Sequence, residues 1–78
     1  MADARISLKR ISIVGDEADP IYSVTFSARY PDGRDHELDV LTKSDGLGAA
    51  VVDAARDAAG GFSQLAAAFR DYADRREH

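Results

Sequence analysis

IYSVTFSARYPDGRDHELDVLTK, residues 21–43, is two runs of alternating apolar and polar side chains on either side of a proline–aspartate–glycine turn. Tyr22, Val24, Phe26, Ala28 and Tyr30 share one parity, and Ser23, Thr25, Ser27 and Arg29 share the other. Successive side chains of a strand point to opposite faces, so this pattern predicts a strand with one face buried. After the turn, Leu38 and Val40 alternate with Asp35, Glu37 and Asp39. Residues opposite each other in an antiparallel pair share a face, which selects the register. A two-residue Asp32-Gly33 loop sets Phe26 against Asp39 and mixes core with solvent. A three-residue loop, Pro31-Asp32-Gly33, instead pairs Phe26 with Leu38, Val24 with Val40 and Ala28 with His36. It also pairs Arg29 with Asp35 and Thr25 with Asp39 on the wet face. Pro31 suits the second position of a type I turn, and Gly33 the left-handed residue of the bulge that follows.

Working toward the N-terminus, residues 5–14 form a strand whose phase slips. Ile6 and Leu8 have one parity, Ile11 and Ile13 the other. One extra residue at Lys9-Arg10, a β-bulge, brings all four onto the core face. Residues 15–20, Gly15-Asp16-Glu17-Ala18-Asp19-Pro20, read as a loop by composition. The simplest order is then β1-β2-β3, with strands over 5–14, 21–30 and 34–43 and the second strand central.

Toward the C-terminus the period becomes helical. Val51, Ala55, Ala58, Phe62, Leu65, Phe69 and Tyr72 are spaced 4-3-4-3-4-3. Ser44 or Asp45 can cap the start of the helix and Ser63 can cap a second one. Gly60-Gly61 falls in the middle, and each glycine costs about 1 kcal/mol against alanine inside a helix. A single helix of about 30 residues would run ~45 Å, against ~34 Å for a ten-residue strand, and would leave Leu65, Phe69 and Tyr72 uncovered. Two helices, over 46–59 and 63–75 and broken at the glycines, are preferred to one long helix. The expected fold is a single α+β domain over 1–78, a three-stranded antiparallel meander followed by an alanine-rich helical half.

Composition narrows the function classes. The chain has 78 residues, no cysteine and a net charge of −4. A domain this small buries only about 60% of its unfolded surface, so self-association would add needed burial. Absence of cysteine removes disulfides and thiolate metal sites and agrees with a cytoplasmic location. The segment Met1-Ala2-Asp3-Ala4-Arg5 has no long apolar core, and no apolar run reaches membrane-spanning length. The acidic balance argues against nucleic acid and anionic lipid as partners.

Chemistry-bearing residues are sparse. Asp16, Glu17 and Asp19 cluster in the first loop but lack the spacing and bidentate glutamate of a calcium loop, so no metal is expected. His36 stands at the core edge without a visible partner, and His78 is at the terminus. No serine lies in a Gly-x-Ser-x-Gly elbow, and Gly46-Leu47-Gly48 lacks the lysine of a phosphate loop. No catalytic residue, cofactor or metal is assigned, and the chain reads as non-enzymatic. Asp35, Glu37 and Asp39 form an acidic stripe that would suit a basic protein partner, although such charge also guards a strand against edge pairing.

One feature points further. Val52, Ala59, Ala66 and Ala73 recur every seven residues beside the main helical seam. A three-stranded sheet is expected to cover one such stripe and leave the other exposed, and exposed apolar patches mark interfaces. The expected function is therefore a protein-interaction or assembly module. It would form a homo-oligomer, most simply a two-fold dimer, through Val52, Ala59, Leu65, Ala66, Phe69, Tyr72 and Ala73. The strand-strand-strand-helix order resembles the degenerate double-stranded-RNA-binding topology of some antitoxins, at the level of fold and without shared motif residues. That likeness implies the alternative of a nucleic-acid-associated regulator, with a basic groove drawn from Arg5, Lys9, Arg10 and Arg34. A third alternative is a small-ligand pocket between sheet and helix, lined by Tyr22, Phe26 and His36.

Overall fold

The computed structural model describes residues 4–77; Met1–Asp3, part of the segment weighed above as a leader, and His78 lie outside them. Three antiparallel strands, β1 (Arg5–Asp16), β2 (Asp19–Arg29) and β3 (Asp35–Lys43), form a sheet in the order β1-β2-β3. Two helices follow, α1 (Leu47–Gly61) and α2 (Ala66–Glu77), with a single 3₁₀ turn at Ser63–Leu65 between them. The fold is α+β, with both helices on one face of the meander.

The β2–β3 register follows the alternation. Val24 pairs with Val40, Phe26 with Leu38, Ala28 with His36 and Arg29 with Asp35. The turn closes with the Gly33 N–H donating to the Tyr30 carbonyl at 2.9 Å and the Tyr30 N–H to the Arg34 carbonyl at 2.8 Å. Gly33 sits at φ +93°, a left-handed conformation that side chains with a Cβ rarely adopt. The Asp32 carboxylate accepts from the Arg34 backbone N–H at 3.0 Å and from Arg34 Nε at 2.7 Å, locking the turn.

The β1–β2 register jumps between Leu8 and Arg10, leaving Lys9 as the extra residue of a bulge. Ile6, Leu8, Ile11 and Ile13 then oppose Ala28, Phe26, Val24 and Tyr22, all on the core face. The expected loop over 15–20 is mostly ladder instead. Gly15 pairs with Pro20 and Asp16 with Asp19, so only Glu17 and Ala18 turn the chain. Proline is tolerated there because β3 ends at Lys43, opposite Ile21, and beyond that point β2 has a neighbour on one side only.

The helical half breaks as expected, but α1 runs two residues past the expected end at 59, and α2 starts at Ala66 rather than 63. Gly60 and Gly61 complete the last turn of α1, and Phe62 leaves the helix at φ −116°, ψ 84°. The capping expectations fail. Gly46 occupies the start of α1 without a side-chain cap, because the Ser44 hydroxyl donates to Asp53 at 2.7 Å, further along the helix. Phe62, not Ser63, precedes the 3₁₀ turn, again without a side-chain cap. Thr42 donates to Asp57 at 3.0 Å, a second tie between β3 and α1.

The core lies between the layers. Val24, Phe26 and Ala28 of β2 are fully buried, as are Ala50, Ala54 and Ala55 of α1 and Phe69 and Ala73 of α2. Alanines bring α1 close to the sheet, and the two large rings fill the space beside it. Phe26 meets Phe69 edge-on at 5.2 Å and Tyr72 at 5.6 Å, a geometry in which the ring quadrupoles attract. The helices also pack on each other, and Arg56 reaches Asp74 at 3.9 Å, so α2 folds back along α1.

Candidate functional site

The face of the sheet away from the helices carries the acidic stripe, and its charges are answered within the chain. Lys9 Nζ, on the bulge of β1, reaches across β2 to Glu37 at 2.6 Å, and Arg10 approaches the same carboxylate at 3.7 Å. Arg29 holds Asp35 at 3.2 Å, and the Thr25 hydroxyl donates to Asp39 at 2.6 Å. Thr25 is only 2% exposed although it faces away from the helices, because this lattice arches over the central strand. Asp35, Glu37 and Asp39 thus act first on their own sheet.

The hydrogen bond and charge of Lys9 hold the Glu37 carboxyl below its ordinary value; Arg10 adds to the effect, while desolvation and Asp39 oppose it. A carboxylate with a depressed folded pKa contributes stability above its unfolded value and loses it as pH falls through the folded one. Both partners are half exposed, so the contribution is small. Lys9→Met is expected to move the Glu37 titration midpoint up toward the ordinary carboxylate range, read from its side-chain carbonyl NMR shift. An unmoved midpoint would separate the two residues electrically.

The residues expected to face a partner are mostly internal. Ala59, Leu65, Phe69 and Ala73 are buried, while Val52, Ala66 and Tyr72 are partly exposed. The reason is the helical hairpin. With α2 folded back on α1, each helix shields apolar surface that the sheet alone would leave open. The first four cannot be presented to a second chain without unpacking the core.

The pocket expected from Tyr22, Phe26 and His36 does not form. Tyr22 and Phe26 are core residues, and His36 lies exposed at the other end of the ladder, its ring 5.7 Å from that of Tyr30. A shallow cleft of about 340 Å³ borders His36, Phe62 and Leu65. The arginines and lysine proposed as a basic groove are dispersed too. Lys9 and Arg10 serve Glu37, Arg34 serves Asp32, and only Arg5 borders an open groove. Asp19 is held by Lys43 at 3.2 Å, and among the described residues Asp16, Glu17 and Asp19 make no group able to hold a metal ion.

Two surfaces were not anticipated. The first is the end of the sheet that the helices leave uncovered. Ile13 is 57% and Leu41 66% exposed, with Val14 and Leu47 also open. Val14 opposes Ile21, and Leu41 lies one row further along on the same outer face. Since β3 runs toward this end and α1 starts beyond it, Leu47 stands there as well. The sequence signal was available: Ile13-Val14 and Val40-Leu41 are adjacent apolar pairs, which force one aliphatic onto each face. The second surface is a groove of about 790 Å³ between the start of β1 and α2. Its signal is tertiary and could not be read locally.

Comparison of the chain with protein-family models, curated proteins and solved structures finds no match in any of the three. No helix among the described residues is long and apolar enough to cross a membrane.

Proposed function

We propose that this chain is a non-enzymatic assembly module that self-associates as a two-fold dimer through the uncovered end of its sheet. The supporting observation is the exposure of Val14 and Leu41 on the outer face at one end of the sheet, with Ile13 and Leu47 exposed on the helix side of the same end. On one side the outer-face patch borders Ser12 and Ser23, which are uncharged; on the other it borders Asp16 and Asp19, the latter paired with Lys43. A second copy meeting this patch across a two-fold axis would cover Val14, Leu41 and the uncharged serines at its centre and leave Asp16 at the rim, as an isologous contact allows. A chain of this size also gains most from added burial. The helices that first suggested dimerisation are occupied with each other and with the sheet. A cytoplasmic location accompanies this reading and rests on the cysteine-free composition.

Light scattering across the micromolar range tests the proposal. The chain is expected to approach twice the monomer mass. Leu41→Glu should return it to the monomer, while its melting temperature at low concentration stays nearly unchanged, as for most exposed positions. A chain that remains monomeric at high micromolar concentration would overturn the reading.

A further inference from the structure

We infer that the groove between the start of β1 and α2 is a docking site for an extended peptide of alternating acidic and apolar residues, added to the sheet as a fourth strand. It lies at the opposite end of the sheet from the dimer surface.

The groove is bordered by Ala4, Arg5, Ile6 and Ser7 in succession. Arg5 and Ser7 belong to the outer face of the sheet and Ile6 to the inner one. Only the edge of a strand can present both parities to one space. β1 is an outer strand, so part of its backbone N–H and C=O groups point into that space unpaired by the sheet. The Lys9 bulge disturbs the regular edge, which confines strand addition to the residues before it. Across the groove, α2 presents Ala67 and Ala68, whose short side chains leave room for a backbone to approach.

The rows of the sheet specify the ligand. Asp35, Arg29 and Arg5 lie side by side on the outer face of β3, β2 and β1. Asp35 pairs with Arg29, but among the described residues Arg5 makes no ion pair and stands directly opposite another arginine. Like charges in that position are unfavourable, and an acidic side chain on the next strand would give Arg5 the opposite charge that its neighbour Arg29 finds in Asp35. One position along, Ile6 faces inward, and Leu65 and Tyr72 give the groove an apolar floor. A strand docked here thus places acidic residues outward and apolar ones inward, in the alternation every strand imposes. Arg75, although paired with Asp71 at 2.9 Å, keeps the balance of the groove positive in a chain of net charge −4. Main-chain hydrogen bonds supply affinity in such complexes, and the alternate side chains supply selectivity.

The test uses the full chain and short fluorescent peptides alternating glutamate or lysine with valine, read by anisotropy. The glutamate peptide should bind at least about tenfold more tightly than the lysine peptide, and Arg5→Glu should abolish or reverse that order. Ala67→Leu, at an exposed position, should weaken binding about tenfold by filling the groove. A glutamate peptide methylated on alternate backbone nitrogens should lose binding, because it cannot pair with an edge. Equal binding of the two charges, undiminished binding of the methylated peptide, or no binding at millimolar peptide would each overturn the inference. The Leu41→Glu monomer should bind the glutamate peptide as the parent chain does, so this site and the dimer surface stand or fall separately.

Discussion

Phe26→Ala is expected to leave the chain largely unfolded at room temperature. Phe26 is fully buried at the centre of the sheet, between Leu8 on one neighbour and Leu38 on the other. It also carries the contact between layers, with Phe69 and Tyr72 edge-on to it. Emptying such a site costs about 3–5 kcal/mol, and loss of favourable ring geometry adds about 1 kcal/mol. A domain of 78 residues holds on the order of 4–12 kcal/mol in total. The nearby helical core positions, Ala54, Ala55 and Ala58, are too short to collapse into the void. Circular dichroism against denaturant should show no native baseline, or a midpoint near zero denaturant. A cooperative transition within about 1 kcal/mol of the parent would remove Phe26 from its place at the centre of stability.

Deleting Ser7 should weaken the sheet measurably, whereas deleting Lys9 should be mild. Lys9 is the extra residue of β1, so its removal leaves Leu8 and Arg10 adjacent opposite Phe26 and Thr25 and keeps Ile6, Leu8, Ile11 and Ile13 on the core face. Without Ser7, Ile6 and Leu8 become neighbours, and one of them must turn outward. Each buried aliphatic of this kind contributes about 1.5–3 kcal/mol when fully covered, and these two are partly covered, so a loss of about 1–2 kcal/mol is expected. Deleting Lys9 removes only a half-exposed ion pair and should cost well under about 1 kcal/mol. Parallel denaturant titrations of the two variants check the difference. Equal losses would mean that side-chain parity along β1 does not govern its stability.

What could be read in advance follows from the range of the forces involved. The β2–β3 register was legible because turn geometry and side-chain alternation are both local, and they agreed on Pro31-Asp32-Gly33. The bulge was legible because parity cannot slip silently between Ile6 and Ile13. The tip of the first hairpin was not. Gly15, Asp16, Asp19 and Pro20 have loop composition, and only the early end of β3 makes the proline harmless. The helix break was visible in Gly60-Gly61, yet its consequence was missed. Whether Ala59 and Ala73 face solvent depends on α2 folding back over α1, a long-range event that a periodic stripe does not encode. Ser44 illustrates the same limit at smaller scale, since its hydroxyl prefers Asp53 to the helix end. The sheet-end aliphatics were legible in principle from the pairs Ile13-Val14 and Val40-Leu41, and the groove at Arg5 was not.

The most direct test of self-association is an isotope-filtered NOE experiment on a mixture of labelled and unlabelled chains. Such a spectrum records contacts only between copies. Methyl groups of Ile13, Val14, Leu41 and Leu47 are expected to show intermolecular NOEs, while those of Val24 and Val51, buried inside each copy, show none. Absence of intermolecular NOEs at millimolar concentration, or their appearance only on Val52, Ala66 and other helical positions, would contradict a dimer formed through the open end of the sheet.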